Sequence, residues 1–192
     1  ALTNSELLVE NKLFATLDAT TRVFDSETKP RILLSDTVGF IKNLPHELVA
    51  SFQSTLEFVQ DADLLLHIVD ISSDYSEHLK VTLQTLDEIG ANCIPILLVF
   101  NKTDLIPAMQ QMMIRKRHPE AIFISAWKGE VEELKQKVIH FFEQKMSTTH
   151  ICLDYQHSHH LGSIYQWVRV DHLDYQEDGI YVTVTAPPAH IE

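Results

Sequence analysis

Four consecutive polar residues, Asn101, Lys102, Thr103 and Asp104, follow an apolar segment at 94–100 that predicts a strand buried on both faces of a parallel sheet. Ligands of open α/β sheets bind beyond the carboxyl ends of such strands. A carboxylate there can accept two hydrogen bonds at once from the ring N–H and exocyclic amine of guanine, which adenine does not offer. Asn101 can brace the loop, and the Lys102 stem can lie over a flat base. The same residues also fit a solvated turn between a strand and a helix.

A second candidate group surrounds the short apolar segment 31–35, which is predicted as another buried strand. Asp36 follows it, and a carboxylate at a strand end can hold Mg²⁺ through water. Gly39 would let its backbone N–H approach a terminal phosphate closely, and Thr16 could offer a hydroxyl to the same metal. Each of these residues, taken alone, also fits an ordinary turn or surface position.

The elements that must position these residues alternate between strand and helix, which predicts an α/β fold with a parallel sheet. Ser125 and Ala126 follow the last of these strands and could turn backbone N–H groups toward the guanine oxygen. The predicted strands lie at 20–25, 31–35, 63–70, 94–100 and 121–124, and the predicted helices at 45–60, 76–89, 107–117 and 130–145. Gly90 is predicted to close the helix at 76–89.

A Ser-Thr-Thr break at 147–149 predicts a boundary between a nucleotide-binding domain at 1–147 and a small α+β domain at 150–192. The second segment predicts a strand at 151–155, a helix at 161–168 and a hairpin whose turn is at 176–179. Its size is near the lower limit for independent folding.

The composition restricts the partners. Fifteen basic and twenty-seven acidic side chains give a net charge of −12, so this chain alone is not expected to bind nucleic acid or an anionic membrane directly. Two cysteines form no disulfide framework and favour a reducing compartment. We find no signal peptide and no apolar run near the roughly 20 residues of a membrane span. These observations predict a soluble cytoplasmic protein.

The order threonine, Asp-x-x-Gly, Asn-Lys-x-Asp and Ser-Ala is that of Ras-like GTPases, and the chain more narrowly resembles the HflX family of translation-associated GTPases. The resemblance rests on LFATLDATTR at 13–22, LLSDTVGFIKNLPHELVASFQSTLE at 33–57, ADLLLHIVDIS at 62–72, NKTDL at 101–105 and ISAWKGEVEEL at 124–134. It implies a Ras-like, mostly parallel sheet with flanking helices, followed by the small C-terminal domain.

The resemblance also implies the site residues. Thr16 in switch I and Asp36 in switch II would hold Mg²⁺, and Thr16 and Gly39 would contact the γ-phosphate of GTP. The full set of implied nucleotide-binding residues is Phe14, Ala15, Thr16, Leu17, Asp18, Asp36, Thr37, Val38, Gly39, Asn101, Lys102, Thr103, Asp104, Ser125, Ala126 and Trp127.

Phe40 follows Gly39, where Ras-like enzymes carry the glutamine that orients the attacking water. An apolar side chain cannot hold that water. The resemblance therefore implies slow hydrolysis of GTP to GDP and phosphate, accelerated by a partner, which for this family is the ribosome and especially its large subunit.

The phosphate-binding pattern GxxxxGK[ST] does not occur in these residues, and neither does the strand that precedes it in the family. Losing three or more charge-assisted hydrogen bonds would cost upward of about 4 kcal/mol, a thousandfold or more in affinity. We therefore expect this chain alone to bind GTP weakly or not at all. The missing strand would lie between those at 31–35 and 63–69 and leave two sheet edges open, which could pair with each other or with another chain.

Three alternatives remain from the residues. The chain could be a non-catalytic interaction module of the same fold. It could also be a receiver-like or flavodoxin-like domain, in which Lys102 or Lys128 would be the lysine that receivers need after a late strand. Histidines at 150, 157, 159 and 160 could suggest zinc, although their spacing favours a solvated turn. The tryptophans, Trp127 and Trp167, are predicted to pack rather than to provide stacking platforms.

Overall fold

The computed structural model describes Leu2, residues 20–36 and residues 59–190. The site residues predicted at 14–18 and 37–39, Phe40 and most of the helix predicted at 45–60 lie outside these ranges. The elements are β1 (Thr20–Val23), β2 (Leu33–Asp36), β3 (Leu65–Asp70), α1 (Tyr75–Glu88), β4 (Ile96–Asn101), α2 (Ala108–Arg117), β5 (Ile122–Phe123), α3 (Glu132–Glu143), β6 (Ser147–Leu153), α4 (Leu161–Trp167), β7 (Arg169–Gln176) and β8 (Gly179–Ala186), with 3₁₀ turns at Thr103–Leu105, Tyr155–His160 and Pro188–His190.

The described residues divide into two compact units, and the division falls within α3. The first holds Thr20 and residues 35–36 and 59–135, and the second holds residues 21–34 and 136–190. β1 and β2 pair with each other in a two-stranded sheet. The domain limits predicted from the sequence, 1–147 and 150–192, remain a prediction.

A three-stranded sheet in the order β3-β4-β5 forms the centre of the first unit. Both pairs of strands are parallel, and the register places Asp70 beside Asn101 and Phe100 beside Phe123. A buried cluster of Val69, Ile71, Phe100, Ile114, Ala121 and Phe123 joins the sheet to α2, and Tyr75 and Leu79 of α1 pack against it. The predicted α/β arrangement with a parallel sheet is confirmed.

The loop after α1 has the hydrogen bonds of a Schellman motif. Gly90 adopts a left-handed φ of +74°, its N–H donates to the Asp87 carbonyl, and the Ala91 N–H donates to the Leu86 carbonyl. Glycine is favoured at this position because it has no Cβ to clash. The sequence prediction that Gly90 closes this helix is confirmed, and β4 begins a few residues later at Ile96.

Burial of the strands differs from the sequence prediction. In β4 only Val99 and Phe100 are fully buried, since β5 pairs with those two residues alone and the first half of β4 has a described partner on one side only. Ile68 of β3 is 50% exposed, and Leu33 of β2 is 62% exposed. The prediction of a buried strand at 31–35 is therefore wrong. Within the described residues, β2 and β3 are not paired with each other.

The second unit contains an antiparallel sheet in the order β6-β8-β7. Its core is a cluster of apolar residues led by β8, with Val168, Ile180, Val182, Val184 and Ala186 buried and Leu161 and Ile164 of α4 packed against them. The predicted strand, helix and hairpin are confirmed. Residues 147–149, predicted as a break, instead begin β6, because Thr148 and Thr149 pair with Thr185 and Val184.

Candidate functional site

The polar residues predicted to read a base lie where β4 and β5 end side by side. The Thr103 N–H and Oγ1 both contact the Ile124 carbonyl, at 3.2 and 3.0 Å. Because the strands are parallel, their carboxyl ends meet at one edge of the sheet, and these bonds hold the loop after β4 against the loop after β5.

Asn101 joins the two loops through its side chain. Its Oδ1 accepts hydrogen bonds from the N–H groups of Lys102, at 2.8 Å, and of Ala126, at 3.0 Å. An amide oxygen has two lone pairs, and here both are used. The prediction that Asn101 can brace the loop agrees with this geometry.

Asp104 is half-buried and is held by Ser125, which is fully buried. The Ser125 hydroxyl donates to Asp104 Oδ1 at 2.5 Å, and the same hydroxyl oxygen accepts the Lys128 N–H at 3.3 Å. Among the described residues, no hydrogen bond or ion pair is made to Asp104 Oδ2. Within the part of the chain that the structure describes, one oxygen of the carboxylate is therefore fixed by Ser125, and the other is left to accept a hydrogen bond from a ligand.

A tight turn after β5 places the Ser125 hydroxyl. The Glu130 N–H donates to the Ser125 carbonyl at 3.0 Å, and the Gly129 N–H donates to the Ala126 carbonyl at 3.3 Å. Gly129 has a left-handed φ of +75°, a conformation that glycine adopts without strain.

Lys102 is the one non-glycine residue of the described ranges with a positive φ, +64°. A side chain in this region is uncommon and often marks a functional constraint. Its ammonium lies 2.6 Å from Asp70 Oδ2, and Oδ1 of that carboxylate accepts the N–H and hydroxyl of Ser72. Burial opposes ionisation of Asp70, but the hydrogen bonds from Lys102 and Ser72 outweigh it and hold the pKa of Asp70 below its ordinary value.

Sequence reasoning did not include Asp70 in the site. The available signal was its place at the end of a strand predicted to neighbour the one before Asn101, since polar residues at adjacent strand ends of a parallel sheet come close together.

Trp127 is 91% exposed and Trp167 is 67% exposed, so the prediction that both pack is wrong. Their apolar rings lie largely in solvent because one lies within the turn after β5 and the other ends α4.

The structure brings together the residues predicted to read a base but not the whole predicted set. Asp36, the described member of the metal pair, ends β2 and is exposed, and no described hydrogen bond or ion pair joins it to Asn101, Lys102 or Asp104. Within the ranges that the structure describes, no group of three histidine, cysteine or acidic residues is arranged to hold a metal ion. In those same ranges no helix has the length and apolarity needed to cross a membrane.

Comparisons with known proteins show the family of the chain. A family profile described as "50S ribosome-binding GTPase" matches residues 1–102. A GTPase HflX of Gluconacetobacter diazotrophicus is 48% identical over 193 residues, which cover all of this chain and 43% of that protein. A GTPase HflX of Akkermansia muciniphila is 33% identical over 195 residues, which cover 98% of this chain and 45% of that protein. The chain thus spans less than half the length of these curated relatives.

A solved structure supports the fold. The crystal structure of Era in complex with MgGDPNP and nucleotides of 16S ribosomal RNA aligns with a TM-score of 0.50 at 24% identity, covering 66% of this chain and 45% of that one. At this identity the likeness shows a Ras-like GTPase fold and no more. The family profile matches more than half of the residues, and the relatives are similar along all or nearly all of this chain, so the chain belongs to the HflX family of GTPases.

Proposed function

We propose that this chain carries the guanine-reading half of a GTPase that hydrolyses GTP to GDP and phosphate. The observation that supports it best is the Asp104 carboxylate, held at Oδ1 by the buried Ser125 hydroxyl and open at Oδ2 among the described residues. A carboxylate oriented in this way can accept hydrogen bonds from the N1–H and the exocyclic amine of guanine. Adenine offers no such donor pair and would leave the charge unsatisfied.

The neighbouring residues complete the proposed base pocket. Asn101 fixes the loop, Lys102 supplies a methylene stem that can cover the base, and Ser125, Ala126 and Trp127 border its other side. The exposed Trp127 ring gives the pocket an intrinsic fluorophore whose emission a bound base would change.

We propose Mg²⁺ as the cofactor, held by Asp36 together with Thr16. The fit rests on the chemistry of the described donor: Asp36 presents an exposed carboxylate at a strand end, and Mg²⁺ prefers oxygen ligands. When bound, the ion would neutralise charge on the phosphates. The segment 14–18, Thr37, Val38 and Gly39 would contact the nucleotide as the family resemblance implies, with Thr16 and Gly39 at the γ-phosphate.

Association with the large ribosomal subunit is part of the proposal, as is a cytoplasmic location. The support is the printed description of the matching family and the resemblance to translation-associated GTPases. With a net charge of −12, the chain offers little long-range attraction for RNA. Parts of the parent protein outside these residues would therefore make most of the ribosome contact.

We also propose that residues 1–147 and 150–192 form separate domains.

The test is a titration of fluorescent GDP and GTP analogues with Mg²⁺, on this chain and on the same chain extended N-terminally through a GxxxxGK[ST] loop. We expect tight binding only with the extension, since the phosphate cradle supplies several charge-assisted hydrogen bonds. Tight magnesium-dependent binding by the 192 residues alone would contradict the predicted impairment. Binding by neither chain would favour the alternative, a non-catalytic interaction module of the same fold.

A further inference from the structure

The ion pair between Asp70 and Lys102 links the ends of two neighbouring strands. Lys102 follows β4 and Asp70 ends β3, and the two atoms Nζ and Oδ2 are 2.6 Å apart. The register places Asp70 directly beside Asn101, so the lysine side chain spans from the end of one strand to the end of the next. Its stem is thereby held in one direction although half of the side chain is exposed.

The Asp70 carboxylate is also held by groups other than the lysine. Its Oδ1 accepts the Ser72 N–H at 2.9 Å and the Ser72 hydroxyl at 2.6 Å, and the Ser73 hydroxyl donates to the Asp70 carbonyl at 2.9 Å. The two bonds to Oδ1 leave Oδ2 for Lys102. The lysine backbone is held from its other side, because its N–H donates to Asn101 Oδ1 and its φ is +64°.

Folding stability does not account for this arrangement well. An exposed ion pair contributes little to stability, since solvent screens it and two side chains lose freedom. The same ordering does help a ligand: a lysine already fixed in the binding conformation has less rotamer entropy left to lose when the ligand arrives.

We propose that Asp70 is a positioning residue for nucleotide binding, which holds the Lys102 stem in the direction that covers the base. This rests on the proposed function, because it assumes that the loop after β4 binds guanine. Asp70 would not touch the base. It would act through the lysine, so its removal should weaken binding without changing which base is preferred.

The experiment uses fluorescent GDP with Mg²⁺ and whichever of the two chains described above binds it. Asp70→Asn removes the charge and keeps the size and the acceptor for Ser72. We expect binding about three- to tenfold weaker, the effect of one side chain that must be immobilised anew. Asp63→Asn, which removes one exposed carboxylate just before β3, is the matched control and should leave affinity unchanged.

A double-mutant cycle separates positioning from other roles. Lys102→Met keeps the stem and removes the ammonium, so Asp70→Asn should have no further effect in that background. An equal loss in both backgrounds would overturn the proposal. In competition with IDP, which lacks the exocyclic amine, Asp70→Asn should weaken GDP and IDP by the same factor, whereas a change in their ratio would assign base reading to Asp70 and overturn it.

The sign of the effect is also decisive. Tighter binding by Asp70→Asn would mean that the carboxylate competes with the nucleotide for the lysine, which contradicts positioning, and unchanged binding would contradict it too. If neither unsubstituted chain binds guanine nucleotides, the proposed function fails and this inference fails with it. Binding by the unsubstituted chain together with an unaffected Asp70→Asn variant overturns this inference alone.

Discussion

Asp104 in the first unit and Asp171 in the second each accept a hydrogen bond from a hydroxyl at 2.5 Å, Asp104 from Ser125 and Asp171 from Thr185. Beyond that bond they differ. Asp171 uses its second oxygen for Arg169, at 2.9 Å, whereas Asp104 Oδ2 has no partner in the described part of the chain. A carboxylate whose two oxygens both bind protein groups contributes to the stability of the fold. A carboxylate at a strand end with one oxygen unbound is available to a ligand.

The surroundings of the two carboxylates follow the same division. In the second unit Thr148 contacts Thr185 at 2.7 Å, and Arg169 also approaches Glu143, so the polar groups of the sheet satisfy one another. In the first unit the bonds of Asn101 and Ser125 instead fix loops whose other atoms stay accessible. The following predictions test this contrast.

The largest expected effect is that of Asp104→Asn. The amide loses the charge and places a donor where guanine also has donors, so guanine nucleotide affinity should fall about a hundredfold or more. Xanthine, which carries a carbonyl in place of the exocyclic amine, should then bind better than guanine. Fluorescence titration with guanine and xanthine nucleotides measures the two affinities. Asp171→Asn serves as the control, and an equal loss of nucleotide affinity in that variant would contradict the contrast.

Gly179→Ala should destabilise the second unit by about 1–3 kcal/mol through overpacking. A Cβ at Gly179 would lie 2.8 Å from the Leu153 carbonyl oxygen and 3.3 Å from Cys152 Sγ, and a paired strand backbone cannot move away easily. Gly162→Ala in α4 is the matched control, since nothing lies within 4 Å of its added methyl and alanine favours a helix. Urea unfolding followed by circular dichroism compares them, and equal stability of the two variants would refute this account.

Ser125→Ala should weaken guanine nucleotide binding about five- to tenfold, because the alanine methyl group cannot donate to Asp104 Oδ1 and a hydrogen bond of roughly 1 kcal/mol to that carboxylate is lost. The Lys128 N–H also loses the hydroxyl oxygen that accepts it. The substitution is nearly the same size, so the fully buried site should remain packed. Ser163→Ala, at an exposed position of α4, should have no effect on affinity. Unchanged affinity in Ser125→Ala would mean that Asp104 needs no support from the loop after β5.

The smallest effect concerns acid stability. Burial in β3 lowers the pKa of His67 from its ordinary value of 6.5. As pH falls below 6.5, the unfolded chain takes up this proton before the folded chain does, so the free energy of unfolding decreases, and the loss is complete once pH is below the folded pKa. His67→Gln should remove this part of the pH dependence between pH 7 and 5, whereas His172→Gln, exposed on β7, should not. Urea titrations at several pH values measure how the free energy of unfolding changes with pH. The same change with pH in His67→Gln and in the unsubstituted chain would contradict this prediction.

Much of the fold was predictable because it depends on local patterns. The helix predicted at 76–89 and its closure by the glycine at 90 agree with α1 and its end, and the hairpin of β7 and β8 was predicted from two strand-like runs around a polar turn. Burial was less predictable. Leu33 and Trp127 are large and apolar yet exposed, since exposure depends on what the rest of the chain places against them.

The sequence by itself determined the residue types of the site, their order along the chain and the family to which they belong. The tertiary structure decided which of them touch: Asn101 with Ala126, Asp104 with Ser125, and Lys102 with Asp70, pairs that are 25, 21 and 32 residues apart. Helices and turns are set by near neighbours and can be recognised in the sequence. Contacts across a parallel sheet depend on strand order and register, which come from packing of the whole unit.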